Sequence, residues 1–447
     1  MRMVLPKGPG GVMGLTTLQW FRRPYAFLDE CKAKYGDTFT FRLLGLPPLV
    51  VFSNPEDVKT VFLDDGETLA AGKFNRSLAP LLGNSSVLMA DGREHVRKRK
   101  LLLPPFHGER MFRYGADMID ITEKAIAKLP RGDAFALHEV MQDITLEVII
   151  RTVFGFAAGP AFDEMVQRTK RILELGAWPP LLLPFMQHEL GGRTRFGKFM
   201  TAVRKADEGI YEEIRRRRRE GDRGADILSL LLDAKDDAGK VPAESELRDE
   251  LVTLLVAGHE TTATALTWAF RWLLAQPSTY ADLRAAVDAL GVNPSAEAIS
   301  KCELLDATAR EALRLVPVIP LVGRVLEKPM SLGGYELPAG VAVVCSIYLA
   351  HRRSEAYPNP AEFDPRRFLG KKFSAYEFYP FGGGVRRCIG MAFSLYEMKI
   401  VLARFLALLE PRLAQNTFGM VRRSITITPE HGLRIRVTPR PAQPAAA

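Results

Sequence analysis

Apolar residues recur at helical spacing through most of the chain. They fall at i, i+3 and i+4 across residues 110–128 and 138–154, which puts them on one face of a helix. The longest such stretch, residues 245–275, predicts a helix of about 45 Å at about 1.5 Å per residue. The pattern predicts a mainly helical protein from about residue 55 to residue 315.

Start and stop signals define further helices. Asn54 followed by Pro55 is typical of a helix N-terminus. Pro104 and Pro105 are expected to end a basic helix that starts at Arg93. The other predicted helices span residues 197–220, 225–234, 304–315 and 391–409.

Short β-rich stretches flank this helical part. Residues 37–53 predict a hairpin that is interrupted by Pro47 and Pro48. The remaining predicted strands lie at 330–337, at 342–347 and in a C-terminal hairpin over 424–437 that turns at 429–432.

The chain shows no internal repeat and no long linker. Residues 1–18 are rich in Pro and Gly and predict an extended lead-in, and residues 438–447 predict a loose tail. We therefore expect one domain over residues 1–447, mainly α with small β-sheets.

The composition excludes several classes of protein. The chain has 447 residues, 47% hydrophobic and 25% charged, as in an ordinary globular enzyme rather than a disordered or fibrous protein. No apolar run reaches the about 18 residues of a membrane span. The four cysteines have neither zinc-site nor disulfide-framework spacing, which fits a cytoplasmic location.

The segment from Phe381 to Gly390, FGGGVRRCIG, contains the cysteine of most interest. Cys388 precedes a predicted helix, whose free N–H groups and dipole favour a thiolate. From the residues alone, such a thiolate is a nucleophile, an iron ligand or an inert free cysteine. The spacing F-x-x-G-x-R-x-C-x-G resembles the haem-binding loop of the cytochrome P-450 monooxygenases, soluble bacterial type.

That resemblance implies a fold and a cofactor. The fold is a triangular prism of helices, with haem b between the long helix and the cysteine-loop helix. Cys388 is the expected iron ligand, Phe381 shields its sulfur, and Arg386 pairs with a haem propionate. Gly384 and Gly390 are expected to let the backbone approach the porphyrin.

The middle of the long helix is chemically unusual. The hydroxyl of Thr261 lies four residues after Ala257 and is predicted to bond its carbonyl, opening the helix locally. A solvent-facing polar patch is the alternative interpretation. The resemblance implies that Ala257 adjoins haem and oxygen, and that Glu260 and Thr261 act as the catalytic proton relay. His259 is expected to be structural.

Other charged residues match supporting positions of that family. Glu311 and Arg314 are spaced to pair on one helix face, and either Arg366 or Arg367 is expected to join them. The resemblance further implies that His95, Arg99 and Arg324 bind haem propionates. Neighbouring basic residues, Arg97, Lys98 and Lys100, and the arginine run at 215–219 are expected to be solvated.

The resemblance also implies an apolar substrate pocket. An apolar pocket with few polar anchors suits a hydrophobic substrate. We expect hydroxylation of a terpenoid such as a sesquiterpene, by insertion of one oxygen atom of O2 into a C–H bond. Fatty acids and steroids are alternative substrates, and a peroxide-driven or isomerase haem-thiolate enzyme is an alternative reaction. The expected lining residues are Val87, Leu88, Ala257, Val318, Ile319, Leu321 and Val322.

The charge suggests how electrons arrive. A net charge of +9 favours acidic partners, and the resemblance implies a ferredoxin or flavodoxin with a separate reductase that takes electrons from NAD(P)H. Basic stretches at 97–100, 352–353 and 371–372 are candidate docking sites. A basic nucleic-acid-binding protein is the competing hypothesis, but no recognition module supports it. We expect a monomer.

Overall fold

The computed structural model describes residues 4–64, 66–106, 108–235, 239 and 241–440. Helices dominate these residues. The helices are α1 (Met13–Arg22), α2 (Pro24–Tyr35), α3 (Pro55–Leu63), α4 (Ala71–Phe74), α5 (Ala79–Leu82), α6 (Gly92–Leu102), α7 (Glu109–Ala127), α8 (Leu137–Phe154), α9 (Pro160–Gly176), α10 (Arg195–Glu220), α11 (Ile227–Asp233), α12 (Glu244–Leu274), α13 (Pro277–Asp288), α14 (Ala296–Ser300), α15 (Glu303–Leu315), α16 (Ile347–Ala350) and α17 (Met391–Leu408).

The strands are short. They are β1 (Thr38–Phe41), β2 (Leu49–Phe52), β3 (Leu69–Ala70), β4 (Phe135–Ala136), β5 (Leu321–Leu326), β6 (Met330–Leu332), β7 (Tyr335–Leu337), β8 (Ala342–Ser346), β9 (Leu409–Leu413), β10 (Met420–Arg423), β11 (Thr426–Pro429) and β12 (Arg434–Pro439).

The long helix α12 organises the interior. Its 31 residues pack against α8, α15, α17, α10 and strand β11. Gly258 lets α12 pack closely against α8, because a Cβ there would lie 2.9 Å from Ile149 Cδ1. α17 is also largely buried, and Thr262 of α12 hydrogen bonds Ser394 of α17 at 3.1 Å between the two hydroxyl oxygens. The two helices that flank the predicted haem position are therefore held together directly.

The largest sheet has the order β1-β2-β8-β5-β3. The predicted hairpin at 37–53 is confirmed, since β1 and β2 pair antiparallel from Thr38 opposite Phe52 to Phe41 opposite Leu49. β2 and β8 run parallel, and β5 pairs antiparallel with β8. Smaller sheets are β4-β12-β9, β10-β11 and β6-β7.

Two predictions about the C-terminal region are wrong. β11 pairs with β10, whereas β12 pairs with β9 and β4, so residues 424–437 do not form one hairpin. β12 also extends through Pro439, and the Arg440 guanidinium contacts Asp288 at 2.7 Å, so the predicted tail is ordered to that point. The rest of that tail, 441–447, lies outside the described residues.

The N-terminal prediction is wrong in part. Helix α1 starts at Met13, inside the segment expected to be extended. Residues 1–3 of that lead-in lie outside the described part of the chain. Among the described residues, no helix is both long enough and apolar enough to cross a bilayer.

Two residues predicted to be solvated are buried. Lys98 lies 2.5 Å from Glu246 and 3.4 Å from Glu250, which are both on α12. Arg217 contacts Asp226 at 2.8 Å and Glu213 at 2.6 Å. Each of these residues belongs to a run of basic residues whose other members are more exposed. Only the tertiary structure shows that these two side chains point inward.

Candidate functional site

The cysteine loop is built against helix α3. Gly384 has φ +63°, and a Cβ there would lie 1.9 Å from the Phe62 carbonyl oxygen. A Cβ on Gly383 would lie 2.1 Å from the Phe62 ring. The Cys388 N–H then donates to the Phe381 carbonyl at 2.9 Å. Contact with α3 therefore requires a glycine at 384, whereas Gly390 has open space on its Cβ side.

Cys388 differs from the other cysteines in its accessibility. It is exposed, whereas Cys31 and Cys345 are buried. Protein atoms around the sulfur nonetheless displace part of its water, and this desolvation raises the pKa of the thiol, although the Gly390 N–H and the charges of Arg99 and Arg387 lower it. The helix-end effect therefore has the predicted sign but is outweighed by desolvation. A cation bound at the sulfur would stabilise the thiolate that the protein alone does not.

Three arginines and a histidine converge beside this loop. They come from α6, β5 and the loop itself: His95, Arg99, Arg324 and Arg386, here called the cation cluster. Burial, followed by the charges of Arg386, Arg99 and Arg324, lowers the pKa of His95 to about 4. Burial also lowers the pKa of Arg324, and lowers that of Arg386 to about 10.

The cation cluster has little compensating negative charge. Arg386 contacts Asp91 and the Val87 and Ala90 carbonyls. The Arg324 guanidinium makes no hydrogen bond or ion pair with any described residue, and lies over the Phe62 ring, 5.4 Å from its centre. Desolvated cations without anions are costly unless a ligand supplies the anions. The donor set fits a group with two carboxylates, such as haem with its propionates.

The middle of α12 has the predicted hydrogen bond. The Thr261 hydroxyl donates to the Ala257 carbonyl at 2.6 Å. Ala257 is exposed although it lies at the centre of a helix whose flanking turns are buried. α12 nevertheless remains a continuous helix through this position. The geometry therefore presents a small residue and a hydroxyl on one accessible stretch of helix.

Glu260 is held on another side of α12. Its carboxylate accepts from the Gln142 amide at 2.6 Å and lies 3.4 Å from His138 Nε2, both on α8. Arg423 of β10 is 3.8 Å away. Burial raises the pKa of Glu260, but the His138 contact and the charges of His138, His259 and Arg423 together hold it below its usual value. Sequence analysis missed these partners.

His259 is buried, as expected of a structural residue. Its Nε2 lies 3.0 Å from the Gln142 carbonyl oxygen, so α8 receives contacts from both His259 and its neighbour Glu260. Burial lowers the pKa of His259 to about 4.

The Glu311–Arg314 pair is fully buried and extensively bonded. Arg314 Nε donates to Glu311 Oε2 at 2.7 Å, and its other donors reach Glu311 and the carbonyls of His351, Pro360 and Glu362. Arg367 completes the group at 3.0 Å from Glu311. Arg366 instead pairs with Asp282 at the surface, so Arg367 is the third member.

The predicted pocket residues are only partly brought together. Val318 accepts a backbone bond from Ile427 at 3.2 Å and, with Val87, belongs to the main hydrophobic core. Leu88, Ile319 and Leu321 pack against that same core, at its partly buried edge. Val322 instead packs against the second core, beneath the large sheet. Alternation along β5 explains the difference, because adjacent strand residues face opposite ways.

A small apolar gap that the sequence did not indicate lies beside α12, with room for about one water molecule. Its apolar lining comes from α9, α10 and α12 and reaches Val256, one residue before Ala257. At its other end Arg248 bonds Asp207 at 2.7 Å, Asp249 at 2.9 Å and the Leu81 carbonyl at 3.1 Å. The lining residues are Leu81, Met165, Thr169, Ile172, Val203, Ala206, Asp207, Ile210, Arg248, Val252, Leu255 and Val256.

Comparisons with known proteins agree with this architecture. A cyanobacterial cytochrome P450 with retinoic acid bound has a TM-score of 0.88 at 24% identity, covering 98% of this chain and 100% of that one. The haem domain of cytochrome P450DA has a TM-score of 0.87 at 24% identity, covering 98% and 99%. At this identity the two structures establish the fold.

Sequence relatives extend the comparison. The chain is 39% identical over 444 residues to the protein named cytochrome P450 135B1 of Mycobacterium tuberculosis, covering 97% of this chain and 92% of the relative. It is 35% identical over 451 residues to cytochrome P450 137 of the same organism, covering 97% and 92%. The family model described as Cytochrome P450 matches residues 6–427. The chain therefore belongs to the cytochrome P450 family, whose members are oxidoreductases that act as monooxygenases.

Proposed function

We propose that this P450 inserts one oxygen atom of O2 into a C–H bond of a hydrophobic small molecule, a terpenoid such as a sesquiterpene. The observation that carries the haem-thiolate assignment is the position of Arg386, two residues before Cys388. Its guanidinium contacts Asp91 and the Val87 and Ala90 carbonyls, at the start of α6, the helix that carries His95 and Arg99. A metal-ligand candidate and a carboxylate-binding set are therefore neighbours.

The cofactor of this proposal is haem b, which supplies thiolate-assisted activation of O2 when it is bound. Cys388 would hold the iron, and the cation cluster would bind the propionates. Phe381 contributes the carbonyl that orients the Cys388 N–H and would shield the sulfur. Gly390, whose Cβ side is open, would let the backbone lie close to the ring.

Thr261 and Glu260 are the proposed catalytic residues. The Thr261 hydroxyl donates its hydrogen bond to the Ala257 carbonyl. Its oxygen lone pairs therefore remain free to accept a hydrogen bond from a water or a substrate hydroxyl. Glu260, ionised under the influence of His138 and Arg423, would accept a proton from solvent and pass it toward Thr261 after a side-chain rotation.

The substrate class rests on the apolar residues expected to line the pocket beside Ala257. Leu88, Ile319 and Leu321 lie at the partly buried edge of the main core and are all apolar, which favours a substrate with few polar groups. Arg248, a cation on the same helix as Ala257, is already bonded to two carboxylates. A fatty acid would need a free cation for its carboxylate, so a terpenoid is the better candidate.

Electron delivery requires a partner protein. Family members draw electrons from redox partners, and we assign this role to a ferredoxin or flavodoxin whose reductase uses NAD(P)H. The positive charge of the chain would attract such acidic proteins. We further propose that the protein is a single-domain, cytoplasmic monomer that binds no nucleic acid.

The first test is optical absorption of the purified holoprotein titrated with a sesquiterpene. A change from low to high spin is expected, because a substrate near the iron displaces its water. A spectrum unmoved by the sesquiterpene but moved by a fatty acid or steroid would refute the terpenoid assignment alone. Loss of the thiolate-type spectrum in Cys388→His is expected, and its retention would refute the ligand assignment.

The second test concerns the proton relay. Thr261→Ala should lower the product formed per NAD(P)H several-fold while substrate binding persists. Thr262→Ala is the matched control, because Thr262 faces Ser394 instead. Equal coupling in both variants, or turnover with peroxide that exceeds turnover with a redox chain, would contradict the proposed mechanism.

A further inference from the structure

The loop between α5 and α6, residues 83–91, is bound to helix α12, and we call it the α12-bound loop. Three consecutive loop residues each make one hydrogen bond to a buried side chain of that helix. The bonds run from the Ser85 N–H to Asp249 Oδ2 at 2.9 Å, from the Val87 N–H to Glu250 Oε2 at 3.0 Å, and between the Ser86 and Thr253 hydroxyl oxygens at 2.7 Å.

The other side of the α12-bound loop holds a member of the cation cluster. Arg386 donates to the Val87 carbonyl at 3.3 Å, and its guanidinium also reaches the Ala90 carbonyl and the Asp91 carboxylate. Val87 therefore bonds Glu250 through its N–H and Arg386 through its carbonyl. A movement of this residue away from α12 would also disturb Arg386.

Glu250 is the incompletely bonded member of this attachment. Its side chain is buried, at 4% exposure, and its Oε1 makes no hydrogen bond within the described chain. Lys98 of α6 lies 3.4 Å from that oxygen but only 2.5 Å from Glu246. The lysine charge is therefore shared with a closer carboxylate.

The surroundings of Glu250 cannot hydrate a carboxylate. A gap beside it has room for about one water molecule, and the other lining residues are mostly apolar: Leu101, Leu102, Leu231, Pro242 and Leu247. The charged groups that face it are Lys98 and Glu246, while α11 contributes only Leu231. Burial raises the pKa of Glu250 to about 7, although Lys98 and the Val87 N–H lower it.

The sign of the pH effect follows from this burial. A glutamate that is hydrated in an opened loop titrates at about 4.3. Opening therefore releases a proton near neutral pH, and it becomes easier as pH rises through 7. Below pH 7 the carboxyl is neutral, and no charge has to be kept out of water.

We propose that Glu250 is a positioning residue whose ionisation loosens the α12-bound loop. The loop stays on α12 while Glu250 is protonated and opens more often once Glu250 is ionised. Opening takes the Val87 carbonyl away from Arg386 and weakens the hold of the cation cluster on a bound haem. Only this last effect rests on the proposed function, because the opening itself involves the loop and α12 alone.

The test is hydrogen exchange of the full-length holoprotein at pH 6 and pH 8, corrected for the intrinsic pH dependence of amide exchange. Protection of the peptide that covers residues 85–90 should fall about tenfold between these values in the wild type. Glu250→Gln keeps an oxygen that accepts from the Val87 N–H but carries no charge. It should retain the protection seen at pH 6 at both values, and its rate of haem transfer to a scavenging protein should change less with pH.

Glu246→Gln is the matched control, because Glu246 lies one turn earlier on α12 and also contacts Lys98. Although burial opposes it, bonds from Lys98 and Arg97 hold the pKa of Glu246 below its usual value, so it stays charged over this interval. This variant should keep the wild-type loss of protection with pH. Equal protection of the wild-type loop at pH 6 and pH 8, or an equal fall in Glu250→Gln, would overturn the proposal. Haem release that changes with pH while loop exchange does not would also overturn it, by placing the titration at the haem propionates.

Discussion

The Glu311–Arg314 group and the cation cluster are both built from buried cations, but only one is complete within the protein. Arg314 makes five hydrogen bonds to a carboxylate and to backbone carbonyls. Arg324, also buried, makes none with the described residues and faces a ring instead. A satisfied buried charge holds the fold in place, whereas an unsatisfied one indicates a ligand.

The largest expected effect breaks the complete group. Glu311→Gln removes the carboxylate that Arg314 and Arg367 share, leaving two buried cations without an anion. The free energy of unfolding should fall by about 3–5 kcal/mol. Denaturant titration at matched haem content measures it.

Its control uses an ion pair of the same type at the surface. Asp282→Asn breaks the Arg366 contact of 2.8 Å, which solvent screens. The free energy of unfolding of Asp282→Asn should be lower by at most about 1 kcal/mol. If Glu311→Gln lowered the free energy of unfolding no more than Asp282→Asn, the buried group would not be what holds the loop of Pro360, Glu362 and Arg367 in place.

The next substitution removes an unpaired charge from the cation cluster. Arg324→Leu removes one unpaired cation, so the apoprotein should be as stable as the wild type or slightly more stable. The holoprotein should instead release haem about tenfold faster, because a charge-assisted bond to a propionate is lost. Transfer of haem to an excess of a scavenging protein measures that rate.

The exposed Arg93 provides the comparison for this variant. Arg93→Leu lies on the same helix as His95 but points to solvent, and should leave haem release unchanged. If Arg324→Leu destabilised the apoprotein by several kcal/mol and left haem release unaltered, the cation cluster would be structural, like the Glu311 group.

The cation cluster should also affect how the stability of the apoprotein depends on pH. The pKa of His95 is lowered to about 4 in the fold, by burial and then by Arg386, Arg99 and Arg324. Below pH about 6.5 the unfolded chain therefore binds a proton that the folded apoprotein does not. Stability is lost as pH falls from 6.5 toward 4, by about 2 kcal/mol between pH 7 and pH 5.

His95→Gln removes that proton linkage, so its unfolding free energy should fall less over the same interval. Glu250 acts with the opposite sign, since burial raises its pKa to about 7 and its contribution is lost as pH rises. That contribution is common to wild type and variant, so the difference between them isolates His95. Parallel pH curves for the two apoproteins would contradict the proposed desolvation of the cluster.

The sequence predicts the parts of this comparison that local patterns encode. The helix containing Glu311 and Arg314, the long helix and the helix after Cys388 all follow from sustained periodicity. The choice between Arg366 and Arg367 cannot be predicted from periodicity. The two residues are adjacent and differ only in the direction that the turn at Pro365–Phe368 gives their side chains. Tertiary packing of α15 against that turn settles it.

The failures share a cause. Residues 424–437 contain two strands and a turn, but β12 pairs with β4, about 300 positions earlier in the chain, so no local signal reveals its partner. Thr17 lies in the lead-in that the sequence predicts to be extended, yet it is part of α1, where its hydroxyl accepts from the Leu44 N–H. The partners of Glu260 come from α8, 118 positions earlier. In each case long-range contacts override a local pattern.

The smallest expected effect concerns Glu260, a buried acid that contacts His138, Gln142 and Arg423. It therefore lies between a fully paired group and an unpaired one. His138→Leu removes the contact of 3.4 Å, while Gln142 and Arg423 remain. Burial then raises the pKa of Glu260 with less to oppose it. The acid limb of the pH profile for product formed per NAD(P)H should move to higher pH. Arg423→Gln, which removes a more exposed and more distant cation, should move it less. A purely structural role for His138 predicts lower yield at every pH with an unmoved limb, so the position of that limb separates a residue that sets the charge of Glu260 from one that only packs beside it.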